Sequence, residues 1–186
     1  ANRAAGGAAL DRFRRGDLPG RWAGLADQPD VPTDLAARLR RHAGDLATLE
    51  ADTAATGLEV AHAGTHGDLD PKNTLVVDDT LVALDWDAAG PRSVVREAVA
   101  VGLDWSTDAA GFARTLTSYA ASGGAVPAEP WVFGGWVSAT SGWLVHNLTT
   151  RIDSPLGLAE TTLALDRLLA LRRSLREIVS VLAATA

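Results

Sequence analysis

His66-Gly67-Asp68-Leu69-Asp70-Pro71-Lys72-Asn73 is followed by Thr74-Leu75-Val76-Val77, Asp78-Asp79, Thr80-Leu81-Val82-Ala83-Leu84 and Asp85-Trp86-Asp87. This stretch decides how the chain is read. Asp68 stands five places before Asn73, and Asp85 twelve places after it. Between them lie two short apolar runs rich in Val, Leu and Thr, separated by two acidic residues. That is the pattern of two strands joined by a tight turn. The motif residues then fall on loops and strand ends, where reactive groups are commonly displayed. Pro71 restricts the loop between Asp68 and Asn73. The hairpin is expected to carry Asp85 back beside that loop.

Each residue type has a chemical reason to be there. A hydroxyl is a poor nucleophile until its proton has somewhere to go, and Asp68 is the candidate acceptor or orienting group. Magnesium is a hard cation that takes oxygen ligands, often one or two from the protein. Asn73 offers an amide oxygen and Asp85 a full negative charge. One proton acceptor and two cation holders are what phosphoryl transfer to an alcohol needs. His66 is expected to brace the loop backbone rather than react. Asp70 and Asp87 flank the centre, either to contact substrate amines or tune metal binding, or as solvated carboxylates. Lys72 is read as a solvated loop charge or a phosphate contact. An Asp five places from an Asn is by itself a common turn pair; specificity comes from the full string with its strands and second carboxylate.

Outside the motif, local signals are mostly helical. Ala1 to Arg15 is a helix candidate weakened by Gly6-Gly7. Leu18-Pro19-Gly20 and Pro29 to Pro32 read as loop. Thr33 opens a helix to about Ala55, with Leu35, Leu39, Leu46 and Leu49 at helical intervals and Gly57 as its stop. After Gly90-Pro91 the chain is expected to turn helical, over Ser93 to Trp105. A second helix, capped by Thr107 or Asp108, carries Phe112, Leu116 and Tyr119 and ends at Ser122-Gly123-Gly124. A third starts near Pro130 and reaches about Arg151. Ser154-Pro155 opens the last, to about Leu182, with an apolar stripe of Leu168, Leu171, Leu175, Ile178 or Val179, and Leu182. Most of the six tryptophans are expected in the core.

The chain of 186 residues is read as a single domain, α+β and mainly α, large enough to bury a core. Its formal net charge of -6 leaves no basic excess for nucleic acid. With no cysteine, neither a disulfide frame nor a thiolate zinc site can form. No apolar stretch is long enough for a membrane span, and Ala1 to Arg15 lacks the apolar core of a signal peptide. The expectation is a cytoplasmic protein with no nucleic-acid or membrane partner.

From His66 to Pro91 the chain resembles the catalytic core of the aminoglycoside phosphotransferase and choline kinase family, within the protein-kinase-like fold. The resemblance is specific over that stretch and architectural elsewhere. It implies that Asp68 is the catalytic base, Asn73 a magnesium ligand, and Asp85 the counterpart of the metal-binding Asp of the kinase D-F-G motif. Trp86 then replaces the Phe. Gly67 stands where protein kinases have an Arg that couples the loop to an activation-loop phosphate. Its absence points to a small-molecule kinase without that switch. The implied cofactors are Mg2+ and ATP or GTP. The implied substrate is a small-molecule alcohol or amino alcohol, aminoglycoside-like or a sugar. The helices would form the C-terminal lobe, with Asp104, Asp108, Glu129, Asp153 and Glu160 near the acceptor pocket or serving as caps and surface charges.

The same family places a nucleotide-binding lobe, with a glycine loop and a strand lysine, before this region. Lys72, the sole lysine, lies inside the catalytic loop instead. The resemblance therefore implies a C-terminal lobe without its N-terminal nucleotide lobe, with little turnover alone. Two other readings stand beside it. One is a non-catalytic pseudokinase or helical binding module. The other is a metal-dependent hydrolase built on His62-x-x-x-His66-x-Asp68-x-Asp70.

Overall fold

The structure is a computed structural model that describes residues 18–54 and 61–185. The expected helix over Ala1–Arg15 and the stop at Gly57 lie outside the described residues. The fold is α+β and mainly helical, with two small antiparallel sheets. The chain divides into two compact units. The first takes residues up to Asp52 and Val137–Ser174; the second takes Thr53–Trp136 and Leu175 onward.

The first unit is helical. Helix α1 spans Leu18–Leu25, where the Leu18-Pro19-Gly20 signal predicts a loop. Pro19 sits in the first turn, where its missing N–H leaves no hydrogen bond unmade. Trp22 then anchors the helix. It is fully buried, and its indole N–H donates to Glu50 Oε2 at 3.2 Å while Arg21 pairs with the other oxygen. An indole buried with its N–H satisfied outweighs the weak Pro-Gly signal. Helix α2, Thr33–Thr53, buries Leu35, Leu39, Leu46 and Leu49 as their spacing predicts.

The second unit holds all four strands found among the described residues. β1 (His62–Thr65) pairs antiparallel with β4 (Gly90–Ser93), matching Thr65 to Gly90 and His62 to Ser93. The expected helix does follow Gly90-Pro91, and the strand β4 that precedes it is not signalled by the sequence. A two-stranded sheet has a free edge toward which a proline without an N–H can point. β2 (Thr74–Val77) and β3 (Thr80–Ala83) form the expected hairpin. Asp78 and Asp79 both take positive φ, 49° and 59°, as a two-residue type I′ turn requires.

Helix α3 (Val94–Asp104) is the hub of this unit, packing on β1, on β4, on helix α4 (Ala109–Ala121) and on the 3-10 turn Pro130–Phe133. Asp108 caps α4 by accepting from Gly111 N at 2.7 Å. Val99, Phe112, Leu116, Val132 and Phe133 are buried here, with the two Phe rings stacked at 6.0 Å. Gly102 allows the α3–α4 approach, since a Cβ there would lie 2.9 Å from the Phe112 ring.

The remaining described helices are α5 (Gly134–Thr150) and α6 (Pro155–Thr185). On α6, Leu168, Leu171, Leu175 and Leu182 are buried, while Ile178 and Val179 are only half-buried. The expectation of tryptophans in the core needs correction. Trp22 and Trp136 are buried, but Trp86, Trp105 and Trp143 are 59%, 38% and 42% exposed. Their indole N–H groups reach acceptors on the surface: Ala83 O, Leu69 O and Glu160. No described helix is long and apolar enough to cross a membrane.

Candidate functional site

The loop that joins β1 to β2 is shaped by its own residues. Gly67 has φ 77°, and a Cβ there would lie 2.5 Å from the Ala88 carbonyl and 2.4 Å from Arg92 Nε. Both conformation and space therefore require glycine at this position. Asp70 then caps the 3-10 turn Pro71–Asn73, its Oδ1 accepting from Lys72 N at 2.9 Å. Its Oδ2 meets Lys72 Nζ at 3.3 Å. Asp70 is thus a turn-forming residue and Lys72 its exposed ion-pair partner.

Asp68 and Asn73 are brought into direct contact. Asn73 is buried, and its Nδ2 donates to Asp68 O at 2.8 Å and to Asp68 Oδ2 at 3.1 Å. Both amide protons serve the same loop, which leaves Oδ1 as the atom available to a cation. The hairpin returns to this point: Leu84 N donates to Asn73 O at 2.8 Å. His66 reaches the same place, its Nε2 donating to Leu84 O at 2.6 Å. It braces the end of β3 against the loop, beside the Trp86 ring at 4.7 Å. The next residue, Asp85, is exposed and left-handed, with φ 56° and ψ 63°. A non-glycine residue held there costs of order 1–3 kcal/mol, and such strain clusters at functional sites. Asp87 is exposed on the following 3-10 turn.

Helix α3 holds the loop on both sides of Asp68, which the sequence did not reveal. Glu97 Oε2 accepts from Gly67 N at 3.2 Å, and the Trp105 indole N–H donates to Leu69 O at 2.8 Å. The main chain before and after the candidate base is thereby fixed by α3 and its C-cap residue Trp105. Arg96, on the same helix, packs against Gly134, Gly135 and the Trp131 ring. Desolvation by burial lowers its pKa from the ordinary value, but a guanidinium still stays charged.

The second group of acidic candidates has structural partners. Asp104 accepts from the Trp136 indole at 2.8 Å, Glu129 from Trp131 at 2.9 Å, and Glu160 from Trp143 at 3.0 Å. Asp108 is a helix cap and Asp153 is exposed. Among the described residues no three His, Asp or Glu side chains gather as a metal cluster, so the set His62, His66, Asp68 and Asp70 is not assembled. The oxygen donors that suit a hard cation are the Asn73 amide and the Asp85 carboxylate. Comparisons of the chain with protein-family models, with curated proteins and with solved structures give no match.

Proposed function

We propose that this chain carries the catalytic and metal-holding segment of a phosphotransferase acting on the hydroxyl of a small molecule, with ATP or GTP as donor. The observation that supports it most is the Asn73 amide. Its two protons are engaged by Asp68, so a single side chain orients the candidate base and offers an oxygen for a cation.

In this reading the substrate hydroxyl lies within hydrogen-bond reach of Asp68. Its oxygen attacks the γ-phosphorus, the bond from that phosphorus to the β-bridging oxygen breaks, and the nucleoside diphosphate leaves. The hydroxyl proton passes to the Asp68 carboxylate. Asn73 Oδ1 and Asp85 would hold magnesium, which when bound offsets charge on the donor phosphates. Gly67, Glu97 and Trp105 keep the base in place, because this chemistry depends chiefly on positioning and electrostatics.

The test is a titration with Mn2+ as a paramagnetic stand-in for magnesium, followed by NMR. The expected result is selective broadening of the Asn73 side-chain amide and the Asp85 backbone amide. Asp85→Asn, which keeps a residue tolerant of left-handed backbone, should abolish that broadening while leaving the unfolding midpoint in place. Asp87→Asn should not abolish it. Broadening that ignores residue 85, or that never reaches Asn73, refutes the metal assignment.

A further inference from the structure

A separate feature lies wholly within the first unit. Helices α2 and α6 line a half-open pocket of about 290 Å3 with His42, Asp45, Leu169, Arg172 and Arg173, of which Asp45 and Arg173 are exposed. His42 and Asp45 sit one turn apart, with His42 Nδ1 3.0 Å from Asp45 Oδ2, so the carboxylate on the wall already has a partner. Leu169 is 5% exposed and supplies an apolar surface. The two arginines differ from three others in this unit. Arg21, Arg38 and Arg40 each pair with a carboxylate, of Glu50, Asp166 and Asp27 respectively. Arg172 and Arg173 make no hydrogen bond or ion pair among the described residues, and the Arg172 Nε–H is shielded from solvent without an acceptor.

Two planar guanidinium forks beside an imidazole suit an anion with several oxygens. The pocket is half open and, at about 290 Å3, lies at the small end of ligand pockets, which run from about 300 to 1,000 Å3, so a small anion suits it. We infer that the α2–α6 cavity binds a phosphate group, as inorganic phosphate or a small phosphate monoester, through Arg172, Arg173 and His42. Asp45 opposes the ligand's charge and limits affinity. The site does not depend on the phosphotransferase reading, since every residue in it belongs to the first unit.

Inorganic phosphate is titrated into the full chain at constant ionic strength, with chloride as the counter-titration. NMR of the Arg172 Nε–H and the His42 ring reads the outcome. The expected result is saturable shifts with phosphate and none with chloride. Arg172→Gln and Arg173→Gln should each weaken binding at least about tenfold, the loss of one charge-assisted hydrogen bond. Asp45→Asn should tighten it severalfold, while Arg114→Gln in the second unit leaves it unchanged. Shifts that chloride reproduces, or an affinity indifferent to both arginines, overturn the proposal. Should Arg172→Gln fail to fold, Asp45→Asn decides: unchanged or weaker binding sinks the site.

Discussion

Gly67 shows how a single residue constrains the candidate site. Its backbone is left-handed, and the space its Cβ would need is taken by the Ala88 carbonyl and the Arg92 side chain. Gly67→Ala combines the left-handed penalty, about 1–2 kcal/mol, with an overpacking cost of similar size. The expected loss of stability is about 2–4 kcal/mol, measured by urea unfolding. A change below about 0.5 kcal/mol would mean that the loop relaxes freely around this position. Gly67 therefore needs no regulatory explanation, because local packing already excludes an arginine. Asp85 is the opposite case: its left-handed backbone is tolerated rather than favoured, which is the kind of local cost that a functional role can justify.

Helix α3 links element and site. Ser93 opens it, and α4 and the Pro130–Phe133 turn pack on it. From this fixed position Glu97 and Trp105 bond the main chain on either side of Asp68. Glu97→Leu removes the acceptor and leaves the Gly67 N–H unmatched. Glu97→Gln keeps an oxygen in the same place. Hydrogen exchange at Gly67 should accelerate by about tenfold or more in the Leu variant, the loss of a bond worth about 1.5 kcal/mol, and recover toward the parent rate in the Gln variant. Equal rates in both variants would show that α3 does not hold the loop through this bond.

Across the whole molecule, the most exposed apolar surface described is the β2–β3 hairpin. Leu75, Val76, Val77, Leu81 and Val82 are each more than a third exposed, and Val76 reaches 72%. No other described strand pairs with the hairpin. Its strands carry no charge; only the turn does, at Asp78 and Asp79. Uncharged exposed edges invite association between chains. Val76→Lys should leave stability within about 0.5 kcal/mol, because the side chain is already in water. The same change should lower self-association in sedimentation equilibrium. A stability loss above about 1 kcal/mol would show that Val76 is covered in solution.

Sequence alone determined what depends on neighbours along the chain. The hairpin was legible because Val, Leu and Thr runs flank two residues able to turn, and α2 because leucines recur at helical spacing. The Asp68–Asn73 pairing belongs to the same class, being closed within a loop of six residues. Tertiary structure decided what depends on distant partners. Gly90-Pro91-Arg92-Ser93 has no strand propensity of its own and becomes β4 only by meeting His62–Thr65. Leu18–Leu25 becomes a helix because Trp22 finds a buried place and an acceptor at Glu50. Glu97 and Trp105 gain their roles from hydrogen bonds that close 30 and 36 residues of chain, a separation that no local pattern encodes.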